Sequence, residues 1–259
     1  MRARLWVAFA AAFAALVVAG CGSGGGSSSG KPDLVVSAAS SLKDAFTQYG
    51  NSFEAANVRA SFAGSDELAA QIRQGVKPDV FASANTKLPD ELFKAGLVEK
   101  PTVFAANRLV IAVPASGSKI STLADLEKPG VKVAMGSESV PVGIYTRKVL
   151  SGLPAADGTK ILKNVRSNEP DVAGVVGKLI QGAVDAGFVY VTDVDATDGK
   201  LKAIQLPASL QPQVSYGVAV VKGAKHPEQA KAFIAGLLKG NGQQALHAAG
   251  FEPPPRSGT

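Results

Sequence analysis

Reactive side chains are scarce in this sequence: one cysteine, two histidines and one tryptophan among 259 residues. With Cys21 alone, no intramolecular disulfide can form. His226 and His247 both lie in the C-terminal region, and neither has a cysteine or a second histidine at ligand spacing, which argues against a zinc site. There is no G-x-S-x-G nucleophile elbow. Neither Gly64-Ser65 nor Gly24 to Gly26 is followed by the Gly-Lys-Ser/Thr of a phosphate-binding loop. The basic residues are scattered singly, so the Lys/Arg stripe of a nucleic-acid surface is missing. The longest apolar run, Leu5 to Ala19, falls short of the roughly 20 residues that span a bilayer as a helix. Catalysis and nucleic-acid binding therefore find no support. What is present suits a globular chain: 46% hydrophobic and 19% charged residues, with a length comfortable for two small domains.

The N-terminus has the layout of a secretory signal. Arg2 and Arg4 precede the apolar run, which Gly20 and Cys21 cut short. Val18-Ala19-Gly20-Cys21 resembles a bacterial lipobox, in which the cysteine is diacylated and becomes the first mature residue. The resemblance implies a signal peptide over 1–20 and a lipidated Cys21 opening a tether over 21–31. Gly22 to Gly30 is almost wholly Gly and Ser, the composition of a flexible linker. Acyl chains contribute about 0.8 kcal/mol per buried CH₂, and stable anchoring takes about two chains. The expected location is extracytoplasmic, lipid-anchored at the cell membrane. Losing Arg2 and Arg4 lowers the formal charge from +6 to +4.

From Asp33 onward short apolar runs alternate with amphipathic stretches. Leu34 to Ala39, Val58 to Ala63 and Asp79 to Ser83 read as strands. Leu42, Ala45, Phe46, Tyr49 and Phe53 recur at helical spacing, and helices also follow over Leu68 to Gly75 and Leu88 to Ala95. This βαβαβα order implies a parallel sheet covered by helices. A second set follows. Its strands are Leu109 to Val113, Val131 to Met135 and Ala186 to Val191, and its helices are Thr122 to Leu126, Ile144 to Leu150 and Val172 to Ile180. Tyr216 to Val221 reads as a further strand, before two terminal helices that begin at Pro227 and end at Gly250.

The informative positions are helix starts. Ser40-Ser41-Leu42-Lys43-Asp44 and Gly64-Ser65-Asp66-Glu67-Leu68 each sit where a strand hands over to a helix. A helix N-terminus offers unpartnered N–H groups and roughly +0.5 charge, so two of them at one sheet edge suit an anion. Serine is also a preferred helix cap, and plain capping stays open. Val140-Pro141-Val142-Gly143 and Asn168-Glu169-Pro170-Asp171-Val172 lead into later helices and leave backbone N–H groups available in the same way. Tyr190 ends an otherwise apolar strand, as a core aromatic or as one more hydrogen-bond donor.

Several of these segments, taken in order, resemble the periplasmic molybdate-binding proteins. They are Ser37-Ala38-Ala39-Ser40-Ser41-Leu42-Lys43-Asp44-Ala45, Phe62-Ala63-Gly64-Ser65 with Leu68-Ala69, and Pro78-Asp79-Val80-Phe81-Ala82-Ser83-Ala84. Val140-Pro141-Val142-Gly143-Ile144-Tyr145 is similar to the family's V-P-A-G-x-Y, and Asp171-Val172, Gly187-Phe188-Val189-Tyr190 and Gly250-Phe251 match in order and spacing. The resemblance covers roughly Asp33 to Glu252. It implies an α/β, two-lobed type II periplasmic-binding-protein fold, each lobe a mostly parallel sheet flanked by helices, with ligand in the interlobe cleft. Lobe 1 is expected over 32–112 plus 214–259, and lobe 2 over 113–213. The resemblance further implies that Ser41 and Ser65 hold an oxyanion from one lobe. The N–H groups of Val142 and Val172 and the hydroxyl of Tyr190 hold it from the other. Molybdate or tungstate is the implied ligand, an ABC permease and its ATPase subunits are the implied partners, and a monomer is expected. Val142 replaces the family's usual Ala, and Asp66 and Asp171 put acids close to an anion site. The alternatives are another oxyanion such as sulfate, or a lipoprotein with a structural role. The two-lobed deaminases that form hydroxymethylbilane need a cofactor-bearing cysteine in the cleft, and Cys21 precedes the tether.

Overall fold

The structure, a computed structural model, describes residues 30–255. The expected signal segment, Cys21 and most of the tether lie outside them. The first half of the chain runs β1 (Asp33–Ala39), α1 (Lys43–Ser52), β2 (Asn57–Ala63), α2 (Ser65–Arg73), β3 (Val80–Ser83), α3 (Lys87–Lys94) and β4 (Thr102–Asn107). Next come β5 (Leu109–Pro114), β6 (Val133–Gly136), α4 (Pro141–Ser151), α5 (Ala155–Lys163), β7 (Val165–Glu169), α6 (Val172–Ile180), β8 (Ala186–Tyr190), α7 (Val191–Asp195) and β9 (Leu201–Gln205). The chain closes with β10 (Val214–Val220), α8 (Pro227–Leu238) and α9 (Asn241–Ala248).

These strands form two five-stranded sheets, ordered β2-β1-β3-β10-β4 and β7-β6-β8-β5-β9. In the first, β1 pairs parallel with β2 and β3, whereas β10 is antiparallel to both β3 and β4. The second repeats the scheme: β6 is parallel to β7 and β8, and β5 is antiparallel to β8 and β9. Each sheet therefore has a single inverted strand, and that strand is the first one laid down after the chain crosses from the other sheet. The sheets are mixed in pairing although most of their strands point one way.

The first crossing is short, with only Arg108 between β4 and β5. All of β5 pairs in the second sheet, so the expected boundary after residue 112 is corrected to lie ahead of Leu109. A run of hydrophobic residues gave no sign of where the chain changes sheet. The second crossing runs from Gln205 to Val214 through a short 3₁₀ turn, Ala208–Leu210.

Packing follows the apolar periodicity. Central strands β3, β6 and β8 are buried throughout, as strands covered on both faces must be. Helix α1 buries Ala45, Phe46 and Tyr49. Phe46 and Tyr49 meet Phe233 of α8 at ring-centroid distances of 5.5 and 4.6 Å, and the Tyr49 hydroxyl donates to the Phe233 carbonyl at 3.1 Å. Each such aromatic contributes about 1.5–3 kcal/mol by burial and locks the C-terminal helices onto the first sheet. The result fixes the carboxyl ends of β1, β2, β6, β7 and β8, where α1, α2, α4, α6 and α7 begin.

Candidate functional site

Helix starts from both sheets converge on one small cavity. Ser41 and Ser65 line it from the first half, and Val142, Val172 and Tyr190 line it from the second. All five residues expected from the sequence border the same space, along with Ala39, Gly64, Pro141 and Asp171. The cavity is small, with about 200 Å³ of space between its lining atoms.

Neither serine caps a helix. Ser41 lies within the 3₁₀ turn Ser40–Leu42, and the cap position of α1 is Leu42, with no side-chain cap bond. Ser65 is the first residue of α2, one place beyond the cap Gly64. Its Oγ instead accepts the Ala84 N–H at 3.1 Å, and its own proton has no acceptor among the described residues. Val142 is the second residue of α4 and Val172 the first of α6, positions whose N–H groups have no carbonyl one turn back. Gly143 lets α4 begin directly against the end of β6. A Cβ there would stand 1.9 Å from the Ser137 carbonyl oxygen and 2.5 Å from that of Gly136. Arg147 secures this turn from behind, donating to the Gly136 carbonyl at 3.0 Å and the Gly143 carbonyl at 3.3 Å.

Tyr190 is 1% exposed, and its hydroxyl is buried with no partner among the described residues. An unpartnered buried hydroxyl is destabilising by about 1–3 kcal/mol unless an acceptor is supplied. Burial, aided by Tyr216, Tyr145 and Asp193, holds this phenol well above its ordinary pKa, so it is a proton donor at neutral pH. Among the described residues no Lys or Arg lines the cavity. Of the two nearby acids, Asp171 is the cap of α6 and accepts the Gly174 N–H at 2.8 Å, which directs its charge into its own helix. Asp66 does not line the cavity.

A larger groove of about 640 Å³ adjoins the cavity at Ser40 and Ser41, lined by Asp44, Asp193, Asp195 and Asp198 together with Lys43, Lys200 and His247. Burial pushes the Asp193 carboxyl up to about 7, with Asp171 and Asp44 adding to the shift against its bond from the Tyr190 N–H. Such a groove carries four carboxyl groups, whereas the small cavity has one, Asp171, beside hydroxyl and backbone N–H donors. Among the described residues no group of three or more His, Cys, Asp or Glu is placed to hold a cation, and no helix is long and apolar enough to cross a membrane.

Ala84, Arg147, Asn107 and Tyr216 support the site and carried no assigned role from sequence. Ala84 closes a segment already singled out by its resemblance. Arg147 reaches the site from one turn along α4, while Asn107 and Tyr216 reach it only through tertiary contacts, Tyr216 meeting Ser41 across 175 residues of chain.

Two mixed sheets joined by two crossings, with helix N-termini from both meeting around a small cavity, define the class of two-lobed solute receptors. The chain belongs to the bacterial extracellular solute-binding proteins, whose family pattern matches residues 34–252. It is 40% identical to the molybdate-binding protein ModA of Mycobacterium tuberculosis over 93% of this chain and 95% of that one. It is 31% identical to a putative ABC transporter substrate-binding lipoprotein, YvgL, of Bacillus subtilis, with the same shares covered. Its fold is similar to that of the periplasmic molybdate-binding protein of Azotobacter vinelandii, with a TM-score of 0.77 and 21% identity over 86% of this chain and all of that one. The family is one of binding proteins, not of enzymes.

Proposed function

We propose that this protein captures molybdate, and tungstate with it, outside the cytoplasm and presents it to an ABC permease and its ATPase subunits for import. The observation that carries this reading is the buried, unpartnered Tyr190 hydroxyl, set among two non-capping serines and two helix N-termini with no cation at hand. The 40% identity to a protein named for molybdate binding supports the same ligand.

The chemistry is consistent. Molybdate is a tetrahedral dianion whose oxygens only accept hydrogen bonds at neutral pH. Ser41, Ser65, Tyr190 and the N–H groups of Val142 and Val172 only need to donate. Each bond to the charged ligand contributes about 1.5–3 kcal/mol net. A neutral donor set also avoids an unpaired buried cation before ligand arrives, which would cost several kcal/mol. An oxyanion that keeps a proton, such as hydrogen phosphate, brings a donor for which the lining offers one carboxylate, Asp171, and that carboxylate already takes the Gly174 N–H. The mature chain is a monomer, held at the membrane by lipid on Cys21; a Cys21→Ala variant is expected in the soluble fraction or unprocessed, and unchanged membrane fractionation would contradict the anchor.

Calorimetry and thermal melting of Ser41→Asp and Ser65→Asp test the site. Each variant is expected to fold and to lose molybdate binding, because two like charges would share one dry pocket. Folded variants that bind molybdate like the wild type would show that the ligand sits elsewhere.

A further inference from the structure

We infer that a buried hydrogen-bond chain, Thr192–Asn107–Tyr216–Ser41, orients the Ser41 hydroxyl as a donor into the cavity and ties that orientation to the two crossings between the halves. The inference rests on the reading of Ser41 as a ligand group and adds three positioning residues to it. None of the three lines the small cavity.

The chain has a direction that can be worked out atom by atom. The Asn107 Oδ1 accepts the Arg108 N–H at 2.8 Å, which fixes the orientation of the amide. Its Nδ2 therefore donates both hydrogens, one to Thr192 Oγ1 at 2.9 Å and one toward Tyr216 Oη at 3.5 Å. Tyr216 Oη thus faces a donor on one side, and Ser41 Oγ stands 3.0 Å away on the other. The phenolic proton goes to Ser41. Ser41 Oγ, having accepted it, keeps its own proton for the cavity. Burial holds the Tyr216 phenol well above its ordinary pKa, so that proton is always present.

The placement gives the chain a second use. Asn107 is the last residue of β4, directly before the first crossing, and Tyr216 lies near the start of β10, directly after the second. A register shift in the β10–β4 pairing falls between Tyr216 and Gly217, an irregularity of the kind that re-aims a side chain. Thr192 belongs to α7, two residues after Tyr190. A rotation of the halves about the crossings moves Thr192 relative to Asn107, and through Tyr216 it loosens Ser41. Ser41 is then a strong donor only when the halves are closed.

The test is a double-mutant cycle with molybdate as the probe. Tyr216→Phe keeps the ring and its edge contact with Phe251, centroids 5.3 Å apart, and removes only the hydroxyl. Affinity for molybdate is expected to fall about five- to tenfold. Ser41→Ala weakens binding at least as much, and adding Tyr216→Phe to it causes no further loss, because the phenol acts only through Ser41. A purely structural tyrosine would lower the melting temperature and weaken both backgrounds equally. Thr192→Val, which keeps the side-chain shape, tests the far end and carries the test if Tyr216→Phe does not fold; a two- to threefold weakening is expected, because the lost bond lies two links away from Ser41. Wild-type affinity in Tyr216→Phe or Thr192→Val, or losses that multiply in the double variant, would overturn the inference. A wild-type protein that does not bind molybdate would overturn the reading of the site, and the inference with it.

Discussion

Tyr190 has opposite consequences for folding and for binding. Its hydroxyl is buried without a partner among the described residues, so removing it relieves the unliganded protein, yet the same hydroxyl is assigned to the ligand. Tyr190→Phe is expected to raise unliganded stability by about 1–3 kcal/mol and to weaken molybdate binding by about 1.5–3 kcal/mol. Thermal melting with and without molybdate reads both; a variant that is less stable and binds normally would return Tyr190 to a plain core role. The serines illustrate what a sequence leaves open at this scale. Ser41 and Ser65 are legible as hydroxyls at strand-to-helix handovers, but capping turns on a single backbone position. Ser65 falls one place past the cap, where its oxygen takes the Ala84 N–H instead. Asp171, which raised the question of an acid beside an anion, proves to be the residue that does cap. Tyr216 and Asn107 had no local signal, since their role depends on partners brought together from distant parts of the chain.

Among the elements, most strands legible from apolar runs have buried faces, such as β1, β3, β5 and β8, although β2 at a sheet edge is legible with no fully buried residue. The strands that carried no clear signal, β4, β7 and β9, all lie at sheet edges. Val165-Arg166-Ser167-Asn168-Glu169 and Leu201-Lys202-Ala203-Ile204-Gln205 keep polar side chains because one side faces solvent. Helix α5 buries only Gly158 and Ile161 and has Gly158 in mid-helix, which blurs its periodicity. The inversion of β5 and β10 is likewise unreadable, since the side-chain alternation of a strand is the same in either direction. The loop before α2 yields an element-scale prediction. Gly64 has φ −60° and ψ 134°, a conformation open to alanine, so Gly64→Ala leaves each half folded. Its new Cβ, however, would stand 2.5 Å from the carbonyl oxygen of Pro170 on the facing half and 2.9 Å from Asp66 Oδ1. The halves must part to make room, and molybdate binding is expected to weaken by about 1–3 kcal/mol, the usual penalty of overpacking. Calorimetry and small-angle scattering of the liganded variant check this; wild-type affinity and compactness would mean that closure does not bring Gly64 against Pro170.

For the molecule as a whole, the two-lobed α/β plan was legible because each half repeats strand–helix alternation and because the ordered motifs resemble one family. The first crossing was misplaced by a few residues, since Leu109 to Pro114 is equally apolar in either sheet. The plan matters for function because it divides the donors. Ser41 and Ser65 come with one sheet, and Val142, Val172 and Tyr190 with the other, so on the proposed reading an anion between them bridges the halves and favours hinge closure. Selectivity then follows from the size and protonation of the anion rather than from its charge alone. The most direct measurement is calorimetric titration of the folded part, residues 30–255, with molybdate, tungstate, sulfate and phosphate in turn. Molybdate and tungstate are expected to bind with similar affinity, and sulfate and phosphate at least about a hundredfold more weakly, a gap of roughly 2.7 kcal/mol. Sulfate or phosphate binding as tightly as molybdate, or no binding of molybdate at all, would contradict the account.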